Sequence, residues 1–303
     1  MKKRWSSKSL GSRWQHQFFY CLIRIGSWPA GYVALFFVVT AYCCIPAIRK
    51  RSKPYLERRF PGAGPVSMAL HYWKHQWIFG KVLVDRVVTG IHGTLSVEAS
   101  PEDVAMLKSL HARGKGLLVL SAHVGCWQTS MIGLDTSLGA TVNVLLHKDE
   151  QDIDRHYHEH RDDKNPAPAP FATIDASDGV LSLVQASAAL RRGEVVGTMA
   201  DRAWDKARYM AQVPFLGGNI FLPWALYHLA AVSQAPVVIC YAVRKGPCRV
   251  HYSIAAVQEM PKPSGKGADQ YLPFLQEFST TLEARVQQNP YQFFNFYNMW
   301  EQQ

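Results

Sequence analysis

Negative charge is nearly missing from the first sixty residues. They contain twelve lysines and arginines but the single acid Glu57, which leaves 21 basic and 22 acidic residues for the rest of the chain. The net charge of +10 at pH 7 therefore comes wholly from this N-terminal part. Because a nucleic-acid-binding domain carries its excess of positive charge on the folded domain itself, we expect no nucleic-acid partner.

The sequence also has no CxxC pair and no cysteine spacing typical of a metal site. Its six cysteines are scattered along the chain, so we expect reduced thiols. His156, His158 and His160 alternate with other residues, but no second group of ligands accompanies them. This pattern favours a solvated polar segment over a metal site, and we predict no metal.

Charge is absent from residues 25–48, an apolar run of 24 residues. As a helix this run would rise about 36 Å, which exceeds a hydrocarbon layer of roughly 30 Å. Pro29 and Pro46 restrict the regular helix to about residues 30–45, so a tilted or half-inserted anchor fits as well as a spanning one.

A cleaved signal peptide is the alternative interpretation of this run. The run is longer than the apolar part of a signal peptide, and no small-x-small cleavage site precedes the basic triplet at residues 49–51. We therefore expect a retained membrane anchor. The six basic residues that follow it within the first sixty favour a cytoplasmic position for the rest of the chain.

Beyond the anchor, strand and helix patterns alternate, which is typical of an α/β fold with a central mixed sheet flanked by helices. An aromatic-rich helical stretch at 67–92 precedes them. We predict strands at 94–98, 116–121, 141–146, 171–174, 194–199, 236–243 and 249–255, and helices at 101–113, 127–137, 179–192, 221–233 and 271–288. Loops are predicted at 165–170 and 261–267. The predicted domains are an anchor at 1–66 and one α/β domain at 67–303.

His123 and Asp201 both follow directly after apolar strands, and sites in α/β sheets gather beyond the carboxyl ends of strands. A histidine with a partner five positions on can take a proton from a hydroxyl, while the partner fixes the other ring nitrogen. An isolated histidine at a strand end is more often an ordinary hydrogen-bonded residue. Cys126 could be a thiol nucleophile, but a small buried residue is the more common role.

The run from Gly116 to Trp127 resembles the catalytic strand and loop of the lysophospholipid acyltransferase superfamily, in its branch of late lipid A (lauroyl and myristoyl) acyltransferases. The signature of that branch is His-x4-Asp/Glu. Further segments resemble the branch in the same order, namely residues 52–56, 189–196 leading into Asp201, 213–218 with Pro223, and 290–292. Residues 293–300 depart from the lipid A enzymes and look like less characterised acyltransferases of specialised lipids.

The resemblance implies a bacterial inner-membrane enzyme that moves a fatty acyl group from an acyl carrier protein or coenzyme A thioester to a lipid hydroxyl, without a cofactor. His123 would be the general base, with Gln128 in the position of the acid and backbone donors near the motif stabilising the oxyanion. Trp127, Arg155, Asp201 and Arg202 would bind substrate. The acidic carrier protein could dock on basic residues, namely Arg155, Arg161, Arg191 and Arg192.

Gln128 carries no charge where the signature has a carboxylate. The base could be slower or assisted differently, for example by Asp201 at the end of another strand. Alternatively, the chain could be a catalytically impaired homologue that acts as a lipid-binding or assembly partner, or the glutamine could be an introduced change. A hydrolase, with water as acceptor, is a further possibility.

Overall fold

A computed structural model describes residues 13–127, 134, 138–147, 171–202, 209–265 and 267–301. Three helices come first: α1 (Arg13–Cys43), α2 (Pro46–Arg59) and α3 (Pro65–His92). The remaining elements are, in chain order, β1 (Ser96–Ala99), α4 (Pro101–His111), β2 (Leu117–Ser121), β3 (Val142–Leu146), β4 (Ala172–Asp175), α5 (Val180–Arg191), β5 (Val195–Met199), β6 (Met210–Phe215), β7 (Gly218–Pro223), α6 (Ala225–Ser233), β8 (Val237–Gly246), β9 (Arg249–Gln258) and α7 (Leu272–Gln288).

Seven strands form one mixed sheet in the order β1-β9-β8-β2-β5-β3-β4. All neighbouring strands in it are parallel except β8 and β9, which form an antiparallel pair. The predicted α/β class with a central mixed sheet and flanking helices is confirmed. Strands β2 and β5 lie in the interior of this sheet, where both faces are covered.

The central strand β2 is completely buried, as expected for an apolar strand that helices cover on both sides. Successive side chains point to opposite faces of a strand. Leu118 and Leu120 accordingly pack into the larger core cluster, together with residues of α5, α6 and α7. Leu117 and Val119 face the second cluster, which includes residues of α3 and α4.

Most predicted elements lie within a few residues of the observed ones, but the helix predicted at 221–233 is wrong at its start. Residues 218–223 form β7, which pairs with β6 in an antiparallel hairpin, and the helix begins only at Ala225. This hairpin was not predicted from the sequence; in the structure, Leu216 and Gly217 have the positive φ angles of a tight turn. Most of the predicted helix at 127–137 and the loop at 165–170 lie outside the described residues.

Most of the N-terminal apolar run, residues 25–43, belongs to α1, which is long and apolar enough to cross a membrane by length and composition. The helix is interrupted at Ser27, whose φ of 54° and ψ of −157° are not helical. The aromatic stretch forms the single helix α3. The side chains of Tyr55 and Leu56 on α2 are buried in the main core, and the boundary at residue 66 stays a prediction.

His75 on α3 connects the helices to the end of the chain. Its side chain is completely buried, with Nε2 2.7 Å from the carbonyl oxygen of Phe293 and Nδ1 3.3 Å from the hydroxyl of Ser52. Burial lowers the pKa of His75 from its usual 6.5 to about 4, against the opposing effect of the hydrogen bond to Phe293. His75 is therefore neutral in the folded protein at pH 7.

This burial predicts a loss of stability in acid. Between pH 6.5 and 4 the unfolded state binds a proton at His75 and the folded state does not, so the free energy of unfolding should fall by about 3 kcal/mol across this window. In His75→Gln, the free energy of unfolding, measured with denaturant, should differ less between pH 7 and pH 4 than it does in the parental protein. The same difference in both proteins would contradict the prediction.

Candidate active site

The register of two neighbouring strands brings His123 and Asp201 together. Strands β2 and β5 are parallel, and Ser121 is the partner of Met199. The amide of Ala200 then donates to the carbonyl of Ser121 at 2.8 Å, which extends the ladder by one step. His123 and Asp201 each follow two positions after paired residues, so both lie at the carboxyl edge of the sheet.

His123 and Asp201 form a direct hydrogen-bonded pair. Nδ1 of His123 lies 2.8 Å from Oδ1 of Asp201, and the backbone amide of His123 donates to Oδ2 at 3.1 Å. The side-chain amide of Asn295 donates to the same Oδ2 at 2.7 Å. Asp201 is completely buried, whereas the His123 side chain keeps 15% of its surface exposed. The histidine can therefore be reached from outside, but its partner cannot.

The surroundings of Asp201 keep its carboxylate ionised. Burial alone would raise the pKa of the carboxyl, but the electrostatic interaction and hydrogen bonds with His123, together with the charge of Arg202, lower this pKa below the usual value. An ionised Asp201 only accepts hydrogen bonds, so Nδ1 of His123 is the protonated nitrogen. Nε2 is then the ring nitrogen that can receive a proton from a substrate, and an imidazolium formed there is stabilised by the carboxylate.

The segment after α7 holds this pair from the other side. The amide of Phe294 donates to the carbonyl of His123 at 2.8 Å. Arg202 donates from Nε to the side-chain oxygen of Asn295 at 2.6 Å and from Nη2 to the carbonyl of Phe294 at 2.9 Å. These contacts orient Asn295 so that its NH2 group points at Asp201. The substrate-binding roles predicted for Asp201 and Arg202 stay predictions. In the structure both side chains form hydrogen bonds with Asn295.

Gly125 allows the loop after His123 to lie against β8. Its φ is 59°, and a Cβ at this position would lie 2.2 Å from the carbonyl oxygen of Ala242. Only glycine fits such a backbone approach. The amide of Gly125 donates to the carbonyl of Gln292 at 2.8 Å, and the amide of Cys126 donates to Ala242 at 2.7 Å.

The backbone amides of residues 123–126 therefore all donate to acceptors within the protein. His123 donates to Asp201, Val124 to Ala122, and the next two amides donate to Gln292 and Ala242. Backbone donors near the motif were expected to stabilise an oxyanion, and this expectation stays a prediction. The amides of residues 123–126 already have acceptors within the protein.

Trp127 lies beside the histidine. Its ring centroid is 5.6 Å from that of His123, 5.4 Å from that of Phe294 and 6.4 Å from that of Phe79. These rings pack against one another beside the imidazole. The predicted contact of Trp127 with substrate stays a prediction.

Cys126 does not have the properties of a nucleophile. Its side chain is 5% exposed, and burial, reinforced by the negative charge of Asp85, raises the pKa of the thiol to about 12. The thiolate is the reactive form of cysteine, and at neutral pH it is essentially absent at such a pKa. The small buried side chain instead packs in the second core cluster.

Two of the predicted site residues, Gln128 and Arg155, lie outside the described residues, as do the histidines at 156–160. Within the described ranges, no group of three or more potential ligands could hold a metal ion. Asn295 is a site residue that was not predicted from the sequence. An asparagine in an aromatic segment far along the chain carries no recognisable signal, because only the fold brings it to Asp201.

A mixed α/β sheet with a histidine–carboxylate pair beyond its central strands defines a protein equipped for general-base catalysis. The family model described as "Bacterial lipid A biosynthesis acyltransferase" matches residues 79–302, and the chain belongs to this family. The matched region includes His123, Asp201 and Asn295, and the family supports a lipid acyltransferase activity. A search of curated proteins found no match.

The site predicts a large effect of removing one charge. In Asp201→Asn the shape is kept, but the imidazolium loses its counter-charge and the tautomer is no longer fixed, so acyl transfer should fall by about a hundredfold to ten-thousandfold. The pH dependence of the remaining activity should shift as well, because the proton affinity of His123 depends on this carboxylate. Transfer rates measured from pH 5 to 9 would test both effects.

Glu259→Gln is the matched control, since this carboxylate is exposed and follows Gln258, which pairs with Val237 at the start of β8 and therefore lies at the opposite edge of the sheet. It should retain the parental rate and pH profile. Parental activity in Asp201→Asn would show that the pair is structural only.

Proposed function

We propose that this protein is a membrane-associated O-acyltransferase that moves a fatty acyl group from an acyl carrier protein or coenzyme A thioester to a hydroxyl of a lipid or glycolipid. The observation that carries this proposal is the buried, ionised Asp201 bonded to His123 in a chain of the acyltransferase family. The pair supplies a base where the reaction needs one. The proposed acceptors extend beyond lipid A, because residues 293–300 resemble enzymes of specialised lipids.

In the proposed reaction, Nε2 of His123 takes the proton from the acceptor hydroxyl while the oxygen of that hydroxyl attacks the carbonyl carbon of the thioester. The carbon–sulfur bond then breaks, the ester forms, and the imidazolium returns the proton to the departing thiolate. No redox change or further reactant is needed. Asp201 acts through His123 as a positioning residue, by fixing Nδ1–H and balancing the charge of the imidazolium.

In this proposal Asp201 supplies the charge that Gln128 lacks. A glutamine can orient an imidazole through its carbonyl, but it does not stabilise the imidazolium as an anion does. Asp201 has the required charge, and the amide of His123 and the side chain of Asn295 fix its second oxygen. These contacts favour a working base over a catalytically impaired homologue.

For the thioester donor, we propose that an acidic carrier protein docks on basic groups of the domain. Arg191 is exposed at the end of α5, and Arg192 is exposed but bonded to Glu194 at 2.6 Å. Both arginines directly precede Gly193, at the edge of the sheet opposite His123, so they are poorly placed for a donor whose thioester must reach the histidine. Of the expected docking groups this leaves Arg155 and Arg161, which lie outside the described residues. Membrane lipids are the proposed source of the acceptor, since the anchor would hold the domain at their surface.

Labelled acyl carrier protein or acyl coenzyme A, incubated with lipid extract and purified membranes, tests the function. The parental chain should produce labelled lipid, and His123→Ala should not. His111→Ala is the matched control, since His111 contacts Gly193 before the start of β5 and therefore lies at the opposite edge of the sheet. If neither the parental chain nor Gln128→Glu transfers the labelled acyl group, the proposal is contradicted.

The double variant Asp201→Asn, Gln128→Glu distinguishes the roles of the two positions. If Asp201 supplies the charge that the motif lacks, adding a motif acid through Gln128→Glu should recover part of the transfer lost in Asp201→Asn. The same transfer assay measures both variants beside the parent. Activity found only in proteins that carry Gln128→Glu would instead identify the natural chain as an impaired catalyst.

A further inference from the structure

Helix α1 bends sharply at Ser27. A side-chain carbon of Ile23 lies 3.2 Å from the point where a Cβ would stand on Gly31. Eight residues of straight helix would separate these positions by about 12 Å. The left-handed φ of Ser27 therefore divides α1 into a first arm at residues 13–26 and a second arm at residues 28–43.

Neither arm is long enough to cross a bilayer. The first arm has 14 residues and the second 16, which correspond to about 21 and 24 Å of helix. A hydrocarbon layer is roughly 30 Å thick. The 31-residue length of α1 suggests a spanning helix only if the bend is ignored.

The second arm is attached to the domain along its length. It runs antiparallel to α3, with Gly31 against Val84, Gly80 against Leu35, and the Trp73 indole donating to the hydroxyl of Thr40 at 3.2 Å. This arm cannot enter the membrane as an isolated helix, because its inner face is packed on α3.

A buried ion pair lies directly under the second arm. Arg244 of β8 donates to Asp85 of α3 at 2.7 Å, and the hydroxyl of Tyr32 contacts both side chains. The two charged side chains are 9% and 6% exposed. If the arm crossed the hydrocarbon layer in this packing, the ion pair would be carried to the depth of the acyl chains, where ionised groups are costly.

Large apolar side chains are exposed on α1 and on the first turns of α3, and α1 also exposes Gln17 and Arg24. Ten of the seventeen large hydrophobic side chains exposed in the described part of the chain lie between residues 14 and 70, so this surface is concentrated in the N-terminal helices. This exposed set, here called the apolar face, consists of Trp14, Phe18, Ile25, Trp28, Val33, Phe36, Phe37, Ile45, Val66 and Leu70. Three tryptophan and tyrosine side chains near it, namely Tyr32, Trp73 and Trp77, are types enriched at membrane interfaces.

Helix α2 places positive charge next to this apolar face. Arg49, Lys50, Arg51 and Lys53 are exposed, and among them Lys53 has an acidic neighbour, Glu57, at 3.6 Å. Clusters of this kind attract anionic headgroups by about 1 kcal/mol for each basic residue near the surface. Apolar side chains beside exposed cations match the boundary between the acyl chains and headgroups of an anionic bilayer.

We propose that α1 is a bent anchor that lies within one leaflet of an anionic membrane, so that the residues before it and the catalytic domain are on the same side. The apolar face enters the acyl region, and the cations of α2 meet the headgroups. Attachment of this kind does not depend on the acyl-transfer chemistry.

Membrane topology provides the first test. The full chain carries a different epitope tag at each end, each removable by the same site-specific protease, and sealed membrane vesicles of both orientations are treated. A single-leaflet anchor predicts that both tags are removed in one orientation and both retained in the other. Removal of one tag in each orientation would show that α1 spans the membrane, and recovery of the chain in the soluble fraction would exclude a membrane partner.

Vesicle flotation tests the apolar face itself. The purified full chain should float with vesicles of phosphatidylethanolamine and phosphatidylglycerol, and more weakly with neutral phosphatidylcholine vesicles. Val33→Glu with Phe37→Glu should reduce the bound fraction by about tenfold or more. Val97→Glu, at an exposed valine of β1, is the matched control and should bind as the parent does. Equal binding of the double variant and the control would overturn the assignment of this face.

Discussion

The in-register parallel pairing of β2 and β5 is the constraint on which the site depends. It sets His123 and Asp201 opposite each other, and it buries the aspartate where water cannot solvate its charge. A buried carboxylate without partners would be too costly to keep ionised. Its oxygens are instead satisfied by the ring and amide of His123 and by Asn295. The neighbouring contacts of Arg202 follow from the need to hold Asn295.

The same strand arrangement connects the site to the anchor. Strand β8 is the other neighbour of β2, and its Arg244 bonds through its side chain to Asp85. Through its backbone, Arg244 exchanges two hydrogen bonds with the side chain of Gln292, at 2.9 and 3.1 Å. The carbonyl of Gln292 in turn accepts from Gly125. A short series of hydrogen bonds therefore fixes the loop after His123 relative to α3.

Much of the fold could be predicted from sequence because apolar strands and amphipathic helices alternate regularly after residue 94. The positions of His123 and Asp201 at strand ends could be read in the same way. Their contact could not, because strand order is decided by packing and not by local pattern. The restriction of the regular helix to about residues 30–45, expected from Pro29 and Pro46, agrees closely with the part of α1 after the break at Ser27, whereas the helical residues before the break were not predicted. Asn295 had no signal, as its partner is 94 positions away.

The 94 positions between Asp201 and Asn295 affect the order in which the site forms during synthesis of the chain. A nascent chain that has been synthesised through β8 already contains His123 and Asp201, and the strands that carry them can pair. Two further partners follow only after β9 and α7. The side-chain amide of Asn295 donates to Asp201, and the backbone amide of Phe294 donates to the carbonyl of His123. An unfinished chain can thus pair β2 with β5, but the hydrogen bonds around Asp201 and His123 are complete only when the fold is complete.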